Sequence, residues 1–292
     1  MSDINKTEEQ SVSDATHEEV VTLQYKADNC LHEFKILLNR DLYSQKTMWN
    51  DFSNGYLYEQ ETSQVYIDLL QPGDTFIDIG AHIGYFSLLA ASLIGQDGLV
   101  MCFEPNESNL DQLKKNVIIN QFTNIQVMPF AVGNENKKVD FFLNQDNDGG
   151  HALWDVGKHD FNIKSREHSE LFTVQMKTLD SILSDNRLDN LKLIKMDVEG
   201  CESMVIDGAM NTLKLHNYPF VISEINRFAL SEMESSEDEL RKKMQGLGYD
   251  CYVLTEAGLI LQAPGKYIEC DYVFNVLFAH SHRINETSLN IS

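Results

Sequence analysis

An α/β fold, a parallel sheet with helices on both faces, is predicted by three observations. Short apolar segments alternate with helical patterns through the middle of the chain, one such segment runs into a glycine-bearing turn, and 42% of the 292 residues are hydrophobic, enough for a sizeable core. The first unit comprises a strand over 75–79, the turn Gly80-Ala81-His82-Ile83-Gly84 and an apolar helix over 85–94. A helical stretch over 62–70 precedes it and is stopped by Pro72-Gly73. The alternation continues with a strand over 99–104, a helix over 110–120 whose Leu110, Leu113 and Val117 share a face, and a strand over 125–130. Later strands are expected at 193–196, 220–225, 251–254 and 272–278, with helices at 202–213 and 237–246. In the last helix Ser236 and Glu239 have capping-box spacing, and Glu237, Asp238 and Glu239 each precede Arg241, Lys242 and Lys243 by four residues, which reads as a solvated helix face.

The flanks differ in character. Residues 1–20 are acidic and apolar-poor, and read as a disordered tail. Two short strands around Asp28-Asn29 and a loop with Trp49, Phe52, Tyr56 and Tyr58 make a small element over 21–61, expected on the substrate side of a main domain over 62–280; residues 281–292 form a second tail. Within the main domain, the rhythm fails between 144 and 170, where His151, Trp154, His159, Phe161 and His168 concentrate; so long a connection reads as a lid or insertion. The histidines there, and His82, read as solvated or turn residues rather than as bases.

Composition excludes several functions. With 23 Lys plus Arg against 45 Asp plus Glu, the net charge of −22 repels nucleic acid and anionic membranes. No apolar run reaches the roughly 20 residues that span a bilayer, and the five cysteines contain no CxxC pair and read as reduced thiols. A soluble, cytoplasmic protein acting on a small molecule is expected, of unspecified oligomeric state.

The chemistry centres on the turn after the first strand. Pyrophosphate-binding turns carry three glycines and present helix amides to an anion, whereas here Asp78 ends the strand and favours a cation. S-adenosylmethionine carries an ammonium and a sulfonium at one end and phosphate-free ribose hydroxyls at the other, so charge complementarity prefers it over NAD. Glu104, ending the next strand 24 residues after Gly80, stands where an acidic residue accepts hydrogen bonds from ribose hydroxyls. A turn-capping Asp78 and a solvated Glu104 are the structural alternatives, and the pair is more specific than either residue.

At these residues the chain resembles the FkbM-type family of S-adenosylmethionine-dependent methyltransferases. The likeness runs from about 55 to 278 through GYLYE (55–59), PGDTFIDIGAHIGYFS (72–87), FEPNESN (103–109), NVIIN (116–120), TLDSIL (178–183), IKMDVEG with Cys201-Glu202, and ISEI (222–225). It implies a Rossmann-like seven-stranded methyltransferase sheet. It also implies that Asp78, Gly80, Ala81 and Gly84 line the methionine end of the donor, that Glu104 with Pro105 holds the ribose, and that Ala131 and Val132 flank the adenine. His82 stands where the family often has asparagine.

A second cluster, Lys195-Met196-Asp197-Val198-Glu199-Gly200-Cys201-Glu202, ends an apolar strand in three carboxylates at the edge where open α/β sheets bind ligands. Asp197 is the candidate for facing the sulfonium and acceptor, and Glu199 the candidate general base; the alternative is that Glu199 and Glu202 serve the next helix's N-terminus. A hydroxyl acceptor must lose a proton, to Glu199, Asp197 or Glu224. A divalent ion on Asp197, Glu224 and Asn226 would be another way to acidify it, but the spacing carries no dedicated metal signature and no metal is assigned. The expectation is O-methylation of a sugar, polyketide or similar metabolite. N-methylation and non-catalytic donor binding are the alternatives, and the missing third glycine disfavours a nicotinamide-dependent oxidoreductase.

Overall fold

The computed structural model describes residues 17–27, 30–184, 188–285, 287 and 289–291; most of the expected acidic tail and the Asp28-Asn29 turn lie outside the described residues. The chain opens with a hairpin, β1 (Glu18–Ala27) and β2 (Cys30–Asn39), then helices α1 (Tyr43–Ser53) and α2 (Gln60–Leu69). The alternation follows as β3 (Thr75–Ile79), α3 (Tyr85–Ile94), β4 (Leu99–Phe103), α4 (Glu107–Asn120) and β5 (Ile125–Met128). A side sheet interrupts it: β6 (Ala131–Val132), β7 (Lys137–Leu143) and, beyond the short helix α5 (Ile163–Glu167), β8 (Glu170–Lys177). After α6 (Leu179–Ile182) come β9 (Leu191–Met196), α7 (Glu202–Asp207), α8 (Met210–Leu215), β10 (Phe220–Asn226), α9 (Arg227–Glu232) and α10 (Glu237–Gly246). The chain closes with β11 (Tyr249–Thr255), β12 (Gly258–Gln262), β13 (Val273–His280) and α11 (Ser281–Ile284).

The central sheet has the order β12-β11-β13-β10-β9-β3-β4-β5. Strands β3, β4, β5, β9 and β10 are parallel, and β13 runs antiparallel to both β10 and β11. The expected seven strands are present, and β12 adds an eighth at one edge. Strand residues alternate between two cores: Phe76 of β3 packs with Leu88 and Leu89 of α3 on one face, while Ile77 and Ile79 pack with Val205 and Ile206 of α7 on the other. Chain order reverses between β3 and β9, so the crevice at their carboxyl ends is where this topology places a ligand. Among the described residues no helix is long and apolar enough to cross a membrane. All five cysteines are free; Cys102, Cys201 and Cys251 are buried, Cys30 and Cys270 exposed.

Several local expectations are corrected. Strand β1 starts at Glu18, inside the expected tail. The aromatic loop before residue 61 is largely helix α1, whose buried Gln45, Met48 and Phe52 recur at helical spacing. The helix expected over 202–213 breaks in two at Gly208, where a side chain would lie 1.9 Å from the Gly133 carbonyl oxygen. Helix α10 is capped as its spacing predicts, Ser236 accepting from the Glu239 amide, but its charge run is only partly solvated. Glu237 is buried between Arg227 and Arg241, at 2.8 and 3.0 Å, while Lys242 with Asp238 remains outside.

The hairpin is sewn onto the main domain. Leu23, Tyr25, Phe34 and Ile36 share the core of α3, and the open edge of β2 is met by two asparagines of α4. Asn116 accepts from the Leu37 amide and donates to the Ile83 carbonyl, and Asn120 accepts from the Lys35 amide and donates to the Lys35 carbonyl. A strand edge needs such partners where water is excluded. Asn116→Ala strands two backbone groups beside the turn after β3, and is expected to lower stability by about 1–3 kcal/mol in urea unfolding; an unchanged midpoint would show that Asn116 does not hold this junction.

Candidate active site

The turn after β3 is shaped by close packing against β9. Gly80 has φ 83, and a Cβ on it would meet the Asp197 carbonyl oxygen at 1.9 Å, so only glycine lets the two strand ends converge. The amides of Gly80 and Ala81 both donate to the Phe103 carbonyl at 3.0 Å. Glu104 closes the turn from the neighbouring strand: one carboxylate oxygen accepts from the His82 amide and the other from the Asn106 amide, each at 2.8 Å. Burial pushes Glu104 up to about 7 despite these two amides. Asp78 is 1% exposed; its Oδ2 accepts from Ser87, its Oδ1 has no partner, and burial raises its pKa.

Asp78, Gly80, Ala81, Glu104, Pro105, Ala131, Val132, Asp197, Glu199 and Glu224 all line one cleft of about 1110 Å³, its open mouth included. Gly84 does not. It is the N-cap of α3, at φ 92, and faces Leu113 behind the turn. Phe130 precedes Ala131 along the same wall.

The second half of the cleft is acidic around one ammonium. Lys195 Nζ donates to Asp197 Oδ2 at 2.8 Å and lies 4.7 Å from the Phe86 ring centroid. Burial opposes its charge, but Asp197, Glu59 and Asp78 outweigh burial and hold its pKa above the ordinary lysine value. Asp197, Glu199 and Glu224 each bring a carboxylate oxygen within 4.8 Å of the others, close enough to face one cation. Burial, with Asp197 and Glu202 beside it, pushes Glu199 up to about 8. Burial and the charges of Asp197 and Glu199 drive Glu224 well above the usual carboxylate range, and its Oε2 has no partner. Asn226 is committed elsewhere: its Nδ2 donates to Glu199 Oε2 at 3.1 Å and its Oδ1 caps α9 through the Ala229 amide. Of the three residues considered for a divalent ion, Asp197 and Glu224 converge with Glu199, while the Asn226 side chain faces Glu199 and the start of α9. Glu202 serves the local backbone, accepting from the Val198 and Gly200 amides.

Residues 144–170 join β7 to β8 within the side sheet that interrupts the alternation, and Asn147, Gly149, His151 and Leu153 among them wall the cleft. Asp148 gathers two distant segments, accepting from the Ser44 amide and Gln45 of α1 and pairing with His82 Nε2 of the turn after β3 at 2.9 Å. Although burial opposes the charge, His82, Gln45 and Ser44 hold the Asp148 carboxyl below its ordinary value. His151 lines the cleft, and burial brings its pKa down to about 4; its Nδ1 accepts from the Asn144 amide. His159 and His168 do not line it. Trp154, 7% exposed, packs against Phe228 and donates to the Glu199 carbonyl at 2.8 Å, whereas Phe161 is 83% exposed. Glu199 itself has φ 50, left-handed for a non-glycine residue. Sequence reasoning left Glu59, Asn109 and the Lys195 ammonium without roles, although GYLYE and IKMDVEG contain two of them.

A family model described as the methyltransferase FkbM domain matches residues 78–251, more than half of the chain. The 2-O-methyltransferase NoeI of Sinorhizobium fredii (strain NBRC 101917 / NGR234) is 25% identical over 183 residues, covering 59% of this chain and 74% of that protein. Among solved structures, methyltransferase FkbM from Methylobacillus flagellatus KT superposes with a TM-score of 0.44 at 15% identity over 74% of this chain; the match spans half of that protein's length, 50%. An S-adenosylmethionine-dependent O-methyltransferase from Thermotoga maritima gives 0.39 at 10% identity, over 88% of this chain and 77% of that one.

The packing of Trp154 makes a prediction about its wall. Trp154→Ala is expected to destabilise the protein by about 3–5 kcal/mol, and Trp154→Phe, which keeps an aromatic ring but loses the indole N–H, to recover most of that in urea unfolding. Equal, negligible losses for both would mean that the indole is not an anchor.

Proposed function

Because the chain belongs to the FkbM methyltransferase family, we propose that it transfers the methyl group of S-adenosylmethionine to a hydroxyl oxygen of a small molecule such as a sugar or polyketide. The observation that carries this reading is one cleft holding both a buried, unpartnered acidic oxygen on Asp78 and a trio of converging carboxylates, Asp197, Glu199 and Glu224. The first suits a cationic donor, the second a reaction that releases a proton. The hydroxyl acceptor is supported by the 2-O-methyltransferase relative.

In this assignment Asp78, Gly80 and Ala81 border the methionyl end, Glu104 with Pro105 the ribose, and Ala131 and Val132 the adenine. When bound, the donor supplies an electrophilic methyl: the acceptor oxygen bonds to that carbon, the carbon–sulfur pair stays on sulfur, and the acceptor proton is released. Glu199 takes that proton, and Asp197 faces the sulfonium. Most of the rate advantage then comes from alignment of acceptor and donor. Glu199 suits the proton because like charges and burial have raised its affinity for one. The base must be unprotonated before it acts, so its active form grows as pH rises through about 8, and the positive charge of a bound donor moves that point down.

For the free enzyme, log(kcat/KM) is thus expected to climb with pH and level above about 8. Glu199→Gln keeps the shape but not the basic oxygen, and is expected to lower turnover by roughly 10²- to 10⁴-fold and flatten the climb, with donor affinity little changed. Normal turnover in that variant would move the proton to Asp197 or Glu224. Glu104 serves ground and transition states alike, so Glu104→Ala is expected to weaken donor binding by roughly ten- to a hundredfold in calorimetry, with a smaller effect on saturated turnover. Unchanged donor affinity would remove the ribose assignment.

A further inference from the structure

The N-cap of α2 carries a carboxylate that does not cap. Glu59 stands there with φ 43 and ψ 66, and its side chain accepts no bond from the helix amides. An oxygen-bearing side chain at this position ordinarily satisfies an amide of the first turn. Gln60 instead turns back to the Leu57 amide, while Glu59 reaches across to β13, its Oε2 accepting from Asn275 Nδ2 at 2.8 Å. Left-handed backbone in a non-glycine residue persists only where its surroundings impose it, and such positions concentrate at functional sites.

This conformation delivers the Glu59 carboxylate to the wall of the same cleft that Asp78, Lys195 and Asp197 line. Its charged neighbours include Lys195, Asp197 and Glu224, and the Tyr66 hydroxyl feels both Asp78 and Glu59, so the two carboxylates border one region. Lys195 is engaged by Asp197 at 2.8 Å, and Asp78 Oδ1 is buried with no partner. Acidic oxygens thus outnumber the cation that faces them, and they are acceptors only.

We propose that Glu59, together with Asp78, binds the ammonium group at the methionyl end of the donor. The proposal rests on the reading of the cleft as an S-adenosylmethionine site. An ammonium presents three N–H donors and needs oriented acceptors, whereas a sulfonium has no hydrogen to donate. The acceptor hydroxyl is served by Glu199, Asp197 and Glu224.

Calorimetry on the full chain with three ligands tests it. S-adenosylmethionine carries ammonium and sulfonium, S-adenosylhomocysteine only the ammonium, and 5′-methylthioadenosine neither. In Glu59→Gln, affinity for the first two is expected to fall together by roughly ten- to a hundredfold, with 5′-methylthioadenosine unchanged. A loss confined to S-adenosylmethionine would point to the sulfonium and overturn the proposal. So would equal losses for all three ligands, or normal donor binding with a raised acceptor KM. Asn275→Ser, which keeps the carboxylate but removes the amide that orients it, is expected to give the same pattern at smaller amplitude, and decides the matter if Glu59→Gln does not fold. Wild-type protein that binds none of the three would instead overturn the donor reading itself, whereas wild-type binding with both variants unaffected would overturn only the role of Glu59.

Discussion

The ammonium of Lys195 sits at the base of the cleft, where Asp197, Glu59 and Asp78 surround it from β9, from the start of α2 and from β3. Burying one carboxylate is unfavourable, and burying several together calls for a compensating charge. Lys195 is 2% exposed, and its ammonium lies over the Phe86 ring of α3, so the charge at the centre of the cleft is itself held against the core. Loss of one partner from a buried ion pair typically costs about 3–5 kcal/mol. Here it would also leave three acidic groups to repel one another across the cleft, so site chemistry and fold stability meet in one side chain.

Around that base the walls come from segments far apart in the chain. Asp148 ties the β7–β8 connection to α1 and, through His82, to the turn after β3. Asn116 ties the same turn to the hairpin. The turn is therefore braced from both sides by protein contacts alone, and such bracing lowers the ordering cost of binding. Glu104, just past β4, completes the bracing by accepting from the His82 and Asn106 amides.

Three non-glycine residues that line the cleft, Glu59, His82 and Glu199, have positive φ between 43 and 51. Such backbone is unfavourable by roughly 1–3 kcal/mol at each position, and a specific contact offsets it each time. Asn275 holds Glu59, Asp148 holds His82, and Trp154 with Asn226 holds Glu199. Backbone strain at these points aims side chains that a relaxed turn would direct elsewhere.

Much of this was legible in the residues. The strand over 75–79 and the helices over 85–94 and 237–246 have the bounds read from their periodicity, because apolar repeats and end signals are local properties. Asp78, Gly80, Glu104 and Asp197 reach one cleft because strand ends of a parallel sheet share an edge, which alternation already implies. Helix α1 was missed because its three buried positions sit among aromatic residues with no cap ahead of them. The solvated reading of Glu237 failed because its partner Arg227 lies on another helix, outside the spacing rule.

By itself the sequence determined the alternation, the glycine-bearing turn and the carboxylates that end its strands, since each follows from neighbours along the chain. Tertiary structure alone decided which charges meet. That Asp197, Glu199 and Glu224 converge within 4.8 Å, that Asn226 is taken by Glu199 and a helix cap, and that Glu59 crosses to Asn275 all depend on pairings between distant strands. The energy of a buried charge is set by what lies within a few ångströms in space, and residues such as Glu59 and Asn275 become neighbours only when the sheet has closed.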